Sequence, residues 1–427
     1  ISARSHNNPL PMRTSTLLLT VGMLSISRTA AQPNTWVNTG AGSPARHEAL
    51  GFAMDGKVYT CLGIAQDGAV LSDLWQYDPA TQAWSAKAAF PGGPRTGAAC
   101  FTVGSKAYIA TGVAAGDTLS DLWEYDPVSD AWTSRASLPG SPRTRAFAFS
   151  IGVLGYVCTG IGSPLPEDQS GYISFPMLGD LWAYDPATDA WTQRTDLFTT
   201  YTTYGEPDPV WTGFVVDGGG YLIKGGEVWA YDPIQDLWAA KATLDPNAFG
   251  LYIPDARMIG FALGGHGYLT NMGWAGDEVY QSHPNLVLRY HPVSDTWRLQ
   301  AFFSGLLRVN VALSTSGPVA YIMGGSHLYP WGDPEDPEPT ENDRVDLSEM
   351  WSYDVRDCQG IVDGPMVPGD PCDDGSPGTF HDAYDLLCTC TGSAQDIQPF
   401  HPDQIDETFT AGTGFDGEVL ALCLQPD

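Results

Sequence analysis

The chain has 427 residues, 43% of them hydrophobic, with 50 acidic against 20 basic side chains and a formal charge of −30. That charge excludes a nucleic-acid binder, whose phosphates it would repel, and adsorption to a bare anionic membrane surface. The length exceeds one small domain, while 48 Gly, 33 Pro, 14 Trp, 19 Tyr and 16 Phe suit many short strands joined by turns.

The first element is an address. From Met12 the chain runs through Arg13, an apolar stretch from Leu17 to Ile26, and small residues ending at Ala30-Ala31. Charge, short apolar segment and small-residue cleavage site follow in the order of a secretory signal. The apolar stretch is too short to cross a bilayer, so no direct membrane insertion is expected. Residues 1–31 are therefore read as upstream sequence plus signal peptide, and the mature chain as a secreted or cell-surface protein beginning near Gln32.

A repeat follows. "SDLWQYDP" at 72–79 returns as "SDLWEYDP" at 120–127, "GDLWAYDP" at 179–186 and "GEVWAYDP" at 226–233. Trp36, Trp84, Trp132, Trp191, Trp238 and Trp297 recur at 47 to 59 residues, a period in the range of propeller blades. Inside each unit a Phe and a Tyr stand seven apart, from Phe52/Tyr59 to Phe261/Tyr268. Turn pairs such as Asp55-Gly56, Gly104-Ser105 and Asp217-Gly218 lie between them and suit tight hairpins with positive φ. Each unit thus reads as four short strands, with "DLWxYD" the third and Asp-Pro turning into a fourth that opens on Trp. Third strands end at Tyr77, Tyr125, Tyr184, Tyr231, Tyr290 and Tyr353, which makes six units. No fourth-strand Trp follows the last, so "TWVNTG" at 35–40 is expected to supply its outer strand. The fold class expected for 32–355 is all-β, a six-bladed β-propeller of four-stranded antiparallel blades closed by the N-terminal strand.

"WSAKAAFPGGPRTGAACF" (84–101) and "WTSRASLPGSPRTRAFAF" (132–149), each running into "DLWxYDP", resemble the kelch repeat over roughly 34–355. The departures are local. The paired glycine after strand two survives as Gly225-Gly226 and Gly324-Gly325, Leu288 replaces a Trp, and the fourth unit lacks the Arg before its first strand.

Residues 356–393 form a Gly-, Pro- and Asp-rich stretch with Cys358, Cys372, Cys388 and Cys390 and little to bury. In an exported chain these cysteines are expected as disulfides, with all three pairings open. The stretch resembles small Asp-rich cysteine modules that link domains in bacterial surface proteins. Thiolate metal binding lacks its paired C-x-x-C spacing. "DPCDDGSPGTFH" (370–381) offers Asp370 and Asp374 as weak Ca²⁺ candidates, but Cys372 and His381 stand where an EF-hand loop needs oxygen ligands. No cofactor is expected. Cys61, Cys100 and Cys158 read as free core thiols. Residues 394–427 are a linker and then "DETFTAGTGFDGEVLALCLQPD", which resembles the opening of a delta-60 type repeat and implies further domains beyond it.

Strand 1–2 and 3–4 turns are short, whereas the 2–3 and 4–1 connections at 161–179, 196–212, 243–256, 271–285 and 326–346 are long and share one face. Those loops carry Tyr172, Tyr201, Tyr204, Trp211, Trp274, Tyr280, Tyr329 and Trp331 among carboxylates, the composition of a recognition face for an extracellular glycan or protein. The kelch resemblance implies two enzymatic alternatives. One is a sialic-acid-type mutarotase or epimerase at the central channel, where Arg46, Arg95, Arg143, Arg257 and Arg308 open first strands. The other, a copper oxidase of galactose-oxidase type, rests on Tyr290-His291, which occupies the repeat's own "YDP" slot. A non-catalytic recognition or adhesion module is the reading these residues favour. If the tail cysteines are paired, alkylating the unfolded, unreduced protein labels only Cys61, Cys100, Cys158 and Cys423. More than four labels before reduction would sink the disulfide expectation.

Overall fold

The computed structural model describes residues 36–167, 171–204, 211–244, 258–271, 286–303, 305, 308, 310–328 and 344–356, and the backbones of strands Thr379–Tyr384 and Cys390–Ala394. The chain divides into two compact units, residues 1–365 and 366–427. Among the described residues every regular element is a strand, and no helix is long and apolar enough to cross a membrane.

Six antiparallel four-stranded sheets repeat along the first unit. Sheet 1 is Leu50–Met54, Lys57–Cys61, Leu74–Asp78 and Ala83–Lys87. Sheet 2 is Ala99–Val103, Lys106–Ala110, Leu122–Asp126 and Ala131–Arg135. Sheet 3 is Phe147–Ile151, Leu154–Cys158, Leu181–Asp185 and Ala190–Arg194. Sheet 4 is Thr212–Val216, Gly219–Lys224, Glu227–Asp232 and Leu237–Ala240. Sheet 5 is Met258–Leu263, His266–Asn271, Leu286–His291 and Thr296–Phe302. Sheet 6 takes Ala312–Ser316, Val319–Met323 and Glu349–Asp354 from one end of the unit and Trp36–Ala41 from the other. First strands of successive sheets neighbour one another, and that of sheet 6 returns to sheet 1.

Register follows the aromatic residues. Phe52 faces Tyr59, Phe101 faces Tyr108, Phe149 faces Tyr156, and the third-strand Tyr faces the fourth-strand Trp. Trp36 lies opposite Tyr353 in that same relation, so the N-terminal strand fills the fourth-strand position of the last sheet. The 1–2 hairpins divide by chemistry. Asp55-Gly56, Asp217-Gly218 and Gly264-Gly265 have positive φ at both turn positions, whereas Gly104, Gly152 and Gly317 have it only at the first. These are the two hairpin types whose twist matches that of the strands.

Packing between sheets explains the spacing. The Phe of one first strand lies over the second strand of the next sheet, where a side chain would collide with it. A Cβ on Gly155 would sit 2.0 Å from the Phe101 ring, and one on Gly267 would sit 2.1 Å from Phe214. Gly220 meets Phe149 in the same way, and Ala107 and Ala320 occupy the same core clusters as Phe52 and Phe261. Sheet 6 has Ser314 in place of the Phe, and sheet 1 answers with the larger Val58, which is fully buried. Large faces small at every junction, as close packing requires.

A second contact repeats outside this core. Tyr125 donates its hydroxyl to Asp130 (2.7 Å), Asp130 also accepts the Ala88 N–H (3.0 Å), and Trp132 donates its indole N–H to the Ala88 carbonyl (2.9 Å). Sheet 2 thereby grips the exit of sheet 1. Asp189 with Trp191, Asp236 with Trp238 and Asp295 with Trp297 repeat the grip. It is missing beside the closing strand. Gln82 stands in the Asp position of sheet 1, and the Trp36 and Trp84 indole nitrogens are buried without a hydrogen-bond partner. In the second unit, Thr379–Tyr384 pairs with Cys390–Ala394, a hairpin that the Pro- and Gly-rich composition concealed.

Gly267→Ala should cost about 1–3 kcal/mol by overpacking. In a Phe214→Leu background the same change should cost less than half of that, measured as a double-mutant cycle by denaturant unfolding. Equal costs in both backgrounds would show that the ring does not set the size of this position.

Candidate functional site

The loop face is built from the ends of second strands. After strand two, Leu62, Thr111 and Thr159 take φ of 61°, 63° and 60°, an unfavourable region for branched side chains, and Gly324 takes 63°. An arginine holds each one. Arg46, Arg95 and Arg143 donate to the carbonyls of Leu62, Thr111 and Thr159, and each binds an Asp two residues before a repeat Trp. Arg143 contacts Asp180 at 2.6 and 2.7 Å, Arg95 contacts Asp121 at 2.7 and 2.9 Å, and Arg46 contacts Asp73 at 2.6 and 2.7 Å. The same carboxylates accept the indole N–H groups of Trp182, Trp123 and Trp75. Arg308 with Glu349 and Trp351 is the sheet 6 version. Arg95 and Arg143, read from the sequence as ligand-facing, are 1% and 0% exposed with their guanidinium groups committed to these clasps. Arg46 and Arg308 are equally buried. Arg257 lies outside the described residues.

Between the first strands runs a central cavity of about 400 Å³. Backbone from all six sheets lines it, together with Phe147, Cys100 and the hydroxyl residues Thr102, Ser150, Ser314 and Thr315. The sheets meet so closely that Gly51 and Gly260 are required. A Cβ on Gly51 would lie 2.6 Å from the Leu313 carbonyl oxygen of sheet 6, and one on Gly260 would lie 2.3 Å from the Gly213 carbonyl oxygen of sheet 4. Among the described lining residues there is no carboxylate, imidazole, lysine or arginine. Cys100, expected in the core, is half-buried on this wall, and burial pushes its thiol up to about 12, which keeps it protonated. The wall offers hydroxyls but no acid/base pair.

The elaborated face carries a further sheet. Arg143–Thr144, Ile161–Gly162, Ser174–Met177 and Tyr201–Tyr204 form a four-stranded antiparallel sheet in that order. Two segments read as loops, after strands two and four of sheet 3, are therefore paired strands, with Tyr204 opposite Ser174 and Tyr201 opposite Met177. Alternating "YTTY" was the available signal, hidden by the flanking Pro and Gly. Tyr172 is 62% exposed and Tyr201 47% exposed, and Leu165 and Ile173 are also exposed.

Sheet 4 lies beside this ribbon and departs from the repeat. Its second and third strands join through the two-residue turn Gly225-Gly226, with Lys224 opposite Glu227. No arginine clasp is present among its described residues. Instead Trp211 stacks on Phe198 (5.7 Å, 18°), and the Lys224 ammonium lies 5.3 Å over the Trp211 ring and 3.5 Å from the Tyr201 hydroxyl. The Phe198 ring and the Lys224 ammonium thus both pack against Trp211. It is half-buried and braces the ribbon, where an exposed platform was expected.

The structure therefore brings Tyr172, Tyr201 and Tyr204 onto one ribbon with Trp211 beneath its base. Trp274, Tyr280, Tyr329 and Trp331, with Cys358, Cys372, Cys388, Asp370 and Asp374, lie outside the described residues; Cys390 opens a described strand opposite Tyr384. His291 takes the part of the Asp it replaces. Its Nδ1 accepts the Ser294 N–H (3.3 Å), just as Asp126 accepts that of Ser129 (3.4 Å) and Asp232 that of Gln235 (3.1 Å). Among the described residues no group of three or more His, Cys, Asp or Glu could hold a metal ion.

Antiparallel four-stranded sheets set side by side around a cavity, each stamped with the same aromatic pattern, define a β-propeller with kelch-type repeats. A model of the Kelch motif matches residues 94–139, which run from the loop before sheet 2 to the exit of its last strand. No curated protein matches the chain. Among solved structures, one titled "Structure of YjhT" is 17% identical with a TM-score of 0.49, covering 67% of this chain and 92% of its own.

The clasp makes a pH prediction. Burial raises the Asp180 carboxyl, but Arg143 and the Trp182 N–H outweigh it and hold the carboxyl below its ordinary 3.8. A carboxyl lowered by folding contributes its full stability above the unfolded value and loses it as pH falls through the folded value. Asp180→Asn should therefore destabilise by about 3–5 kcal/mol at pH 7, leaving Arg143 buried and unpaired. The gap to wild type should narrow below about pH 4. Urea midpoints at pH 7 and pH 3 would show it, and a constant gap would refute the ion-pair account.

Proposed function

We propose that the chain is a non-catalytic recognition module of an exported or cell-surface protein, a closed six-bladed propeller that binds an extracellular protein partner through the ribbon over sheets 3 and 4. The observation that carries this reading is the exposure of Tyr201 on an added sheet and of Leu165, Tyr172 and Ile173 in the connection between two of its strands. Exposed aromatic and aliphatic side chains on a rigid scaffold fit a protein interface, where Tyr supplies contact area at low entropic cost. Glycan recognition at the same face would use Tyr172 and Tyr201 as ring platforms, without Trp211. A mutarotase at the channel would need an acid and a base, and the described wall provides only hydroxyls and a protonated thiol. Beyond the propeller, residues 356–393 are proposed as a disulfide-stapled linker and 394–427 as the start of a further repeat domain, with no resident cofactor.

A random peptide library and a glycan array, both probed with the oxidised mature chain, test the reading. Selective peptide binding should weaken about tenfold or more in Tyr172→Ala/Tyr201→Ala. Val128→Ser/Ile234→Ser, on 3–4 turns away from the ribbon, should leave it unchanged. Selective glycan binding with the same sensitivity would replace the protein reading. Binding on neither panel, or binding indifferent to the tyrosines, would overturn it.

A further inference from the structure

The ribbon's last strand has an unusual edge. Tyr201–Tyr204 ends the order of its sheet, and no other described strand pairs with its outer side. Proteins ordinarily blunt such an edge with lysine, proline or a bulge, because its free N–H and C=O groups template pairing with another chain. Tyr-Thr-Thr-Tyr has none of these devices, and its β-branched and aromatic residues favour the extended state. Its pairing with Ser174–Met177 runs through four consecutive residues without a register shift. The edge is straight, and the exposed tyrosine of its first position lies beside it.

We propose that this edge takes up an extended, basic segment of the protein partner as a fifth strand of the ribbon sheet, an inference that rests on the protein-recognition reading above. Main-chain hydrogen bonds to 201–204 supply the affinity, over roughly 13 Å of strand. Charge selects the segment. A chain of formal charge −30 draws cationic partners and repels acidic ones. Lys224 sets the polarity of that preference. Its ammonium sits at the Tyr201 end, so the partner's Lys and Arg side chains belong toward the Tyr204 end.

The test uses the oxidised full chain and nine-residue peptides selected from the random library. Selected sequences should alternate β-branched with basic residues. N-methylating one alternate set of peptide amides should weaken binding about tenfold or more, while methylating the other set changes it little, since only one set faces the edge. Replacing Lys by Glu in the peptide should weaken binding by a similar factor at low salt and by less at high salt. Bound peptide should slow amide hydrogen exchange at 201–204. Equal binding of both methylated forms, protection confined to other segments, or selection of acidic peptides would overturn the edge pairing while leaving protein recognition in place. A library yielding no binder would overturn both.

Discussion

Except where Ser314 of sheet 6 meets Val58 of sheet 1, each sheet is fitted to the next by one aromatic ring lying over one gap. The Phe of a first strand projects over the second strand of its neighbour, where Gly155, Gly220 and Gly267 leave the space it fills. Burying a Phe is worth about 1.5–3 kcal/mol, and a Cβ placed against its ring would offset a comparable amount, about 1–3 kcal/mol, by overpacking. The constraint acts on two sheets at once, so it also fixes their separation. Once the sheets stand that close, their inner strands touch, and Gly51 and Gly260 become necessary on the cavity side. The Gly-Phe dipeptides at 51–52 and 260–261 satisfy both demands in adjacent positions.

The arginine clasps act on the backbone more than on the solvent. Each positive-φ residue after strand two carries a strain of order 1–3 kcal/mol, and the turn persists only because its surroundings over-determine it. Arg143 bonds the Thr159 carbonyl, while the Thr159 N–H donates to the Asp180 carbonyl. The ion pair itself gains little net energy after desolvation. Its contribution is to hold the loop-face crossover in one conformation, from which the outer strands of sheet 3 can then spring. Sheet 4 turns without strain through two glycines and needs no clasp. That leaves its top clear for Trp211, Phe198 and Lys224 to brace the ribbon.

Much of this was legible. Six third strands, the Phe/Tyr and Tyr/Trp registers and the return of the N-terminal strand follow from repetition, because residues that must meet recur at fixed spacing. The clasps were written there too, as Arg six residues before the strand-one Phe and Asp two before the Trp. Their role was not, since an arginine opening an inner strand looks the same in sequence whether it faces a channel or a carboxylate. Thr111 and Thr159 gave no hint of positive φ, which depends on the tertiary hydrogen bonds that enforce it. The ribbon was hidden for a different reason. Its strands are only two to four residues long and lie 12 to 24 residues apart, so no local period reports their pairing.

The junction that lacks the outer grip and the ribbon belong to different sheets of the repeat. The Tyr–Asp–Trp grip is lost where sheets 6 and 1 meet, because Gln82 replaces the Asp and the closing strand bulges between Asn38 and Gly40, where the gripped peptide would lie. The ribbon rises over sheets 3 and 4, three places round the ring, where the grips at Asp189 and Asp236 are complete. The sheets beneath the ribbon are therefore held by both the core rings and the outer grip. At the seam Val58 and Tyr77 of sheet 1 share one buried cluster with Tyr321 and Met323 of sheet 6, and the Tyr77 and Tyr321 rings meet at 6.1 Å, so side-chain packing stands where the grip is lost. Local departures from one repeat thus decide which junctions rely on side-chain packing alone and which carry the outer grip as well.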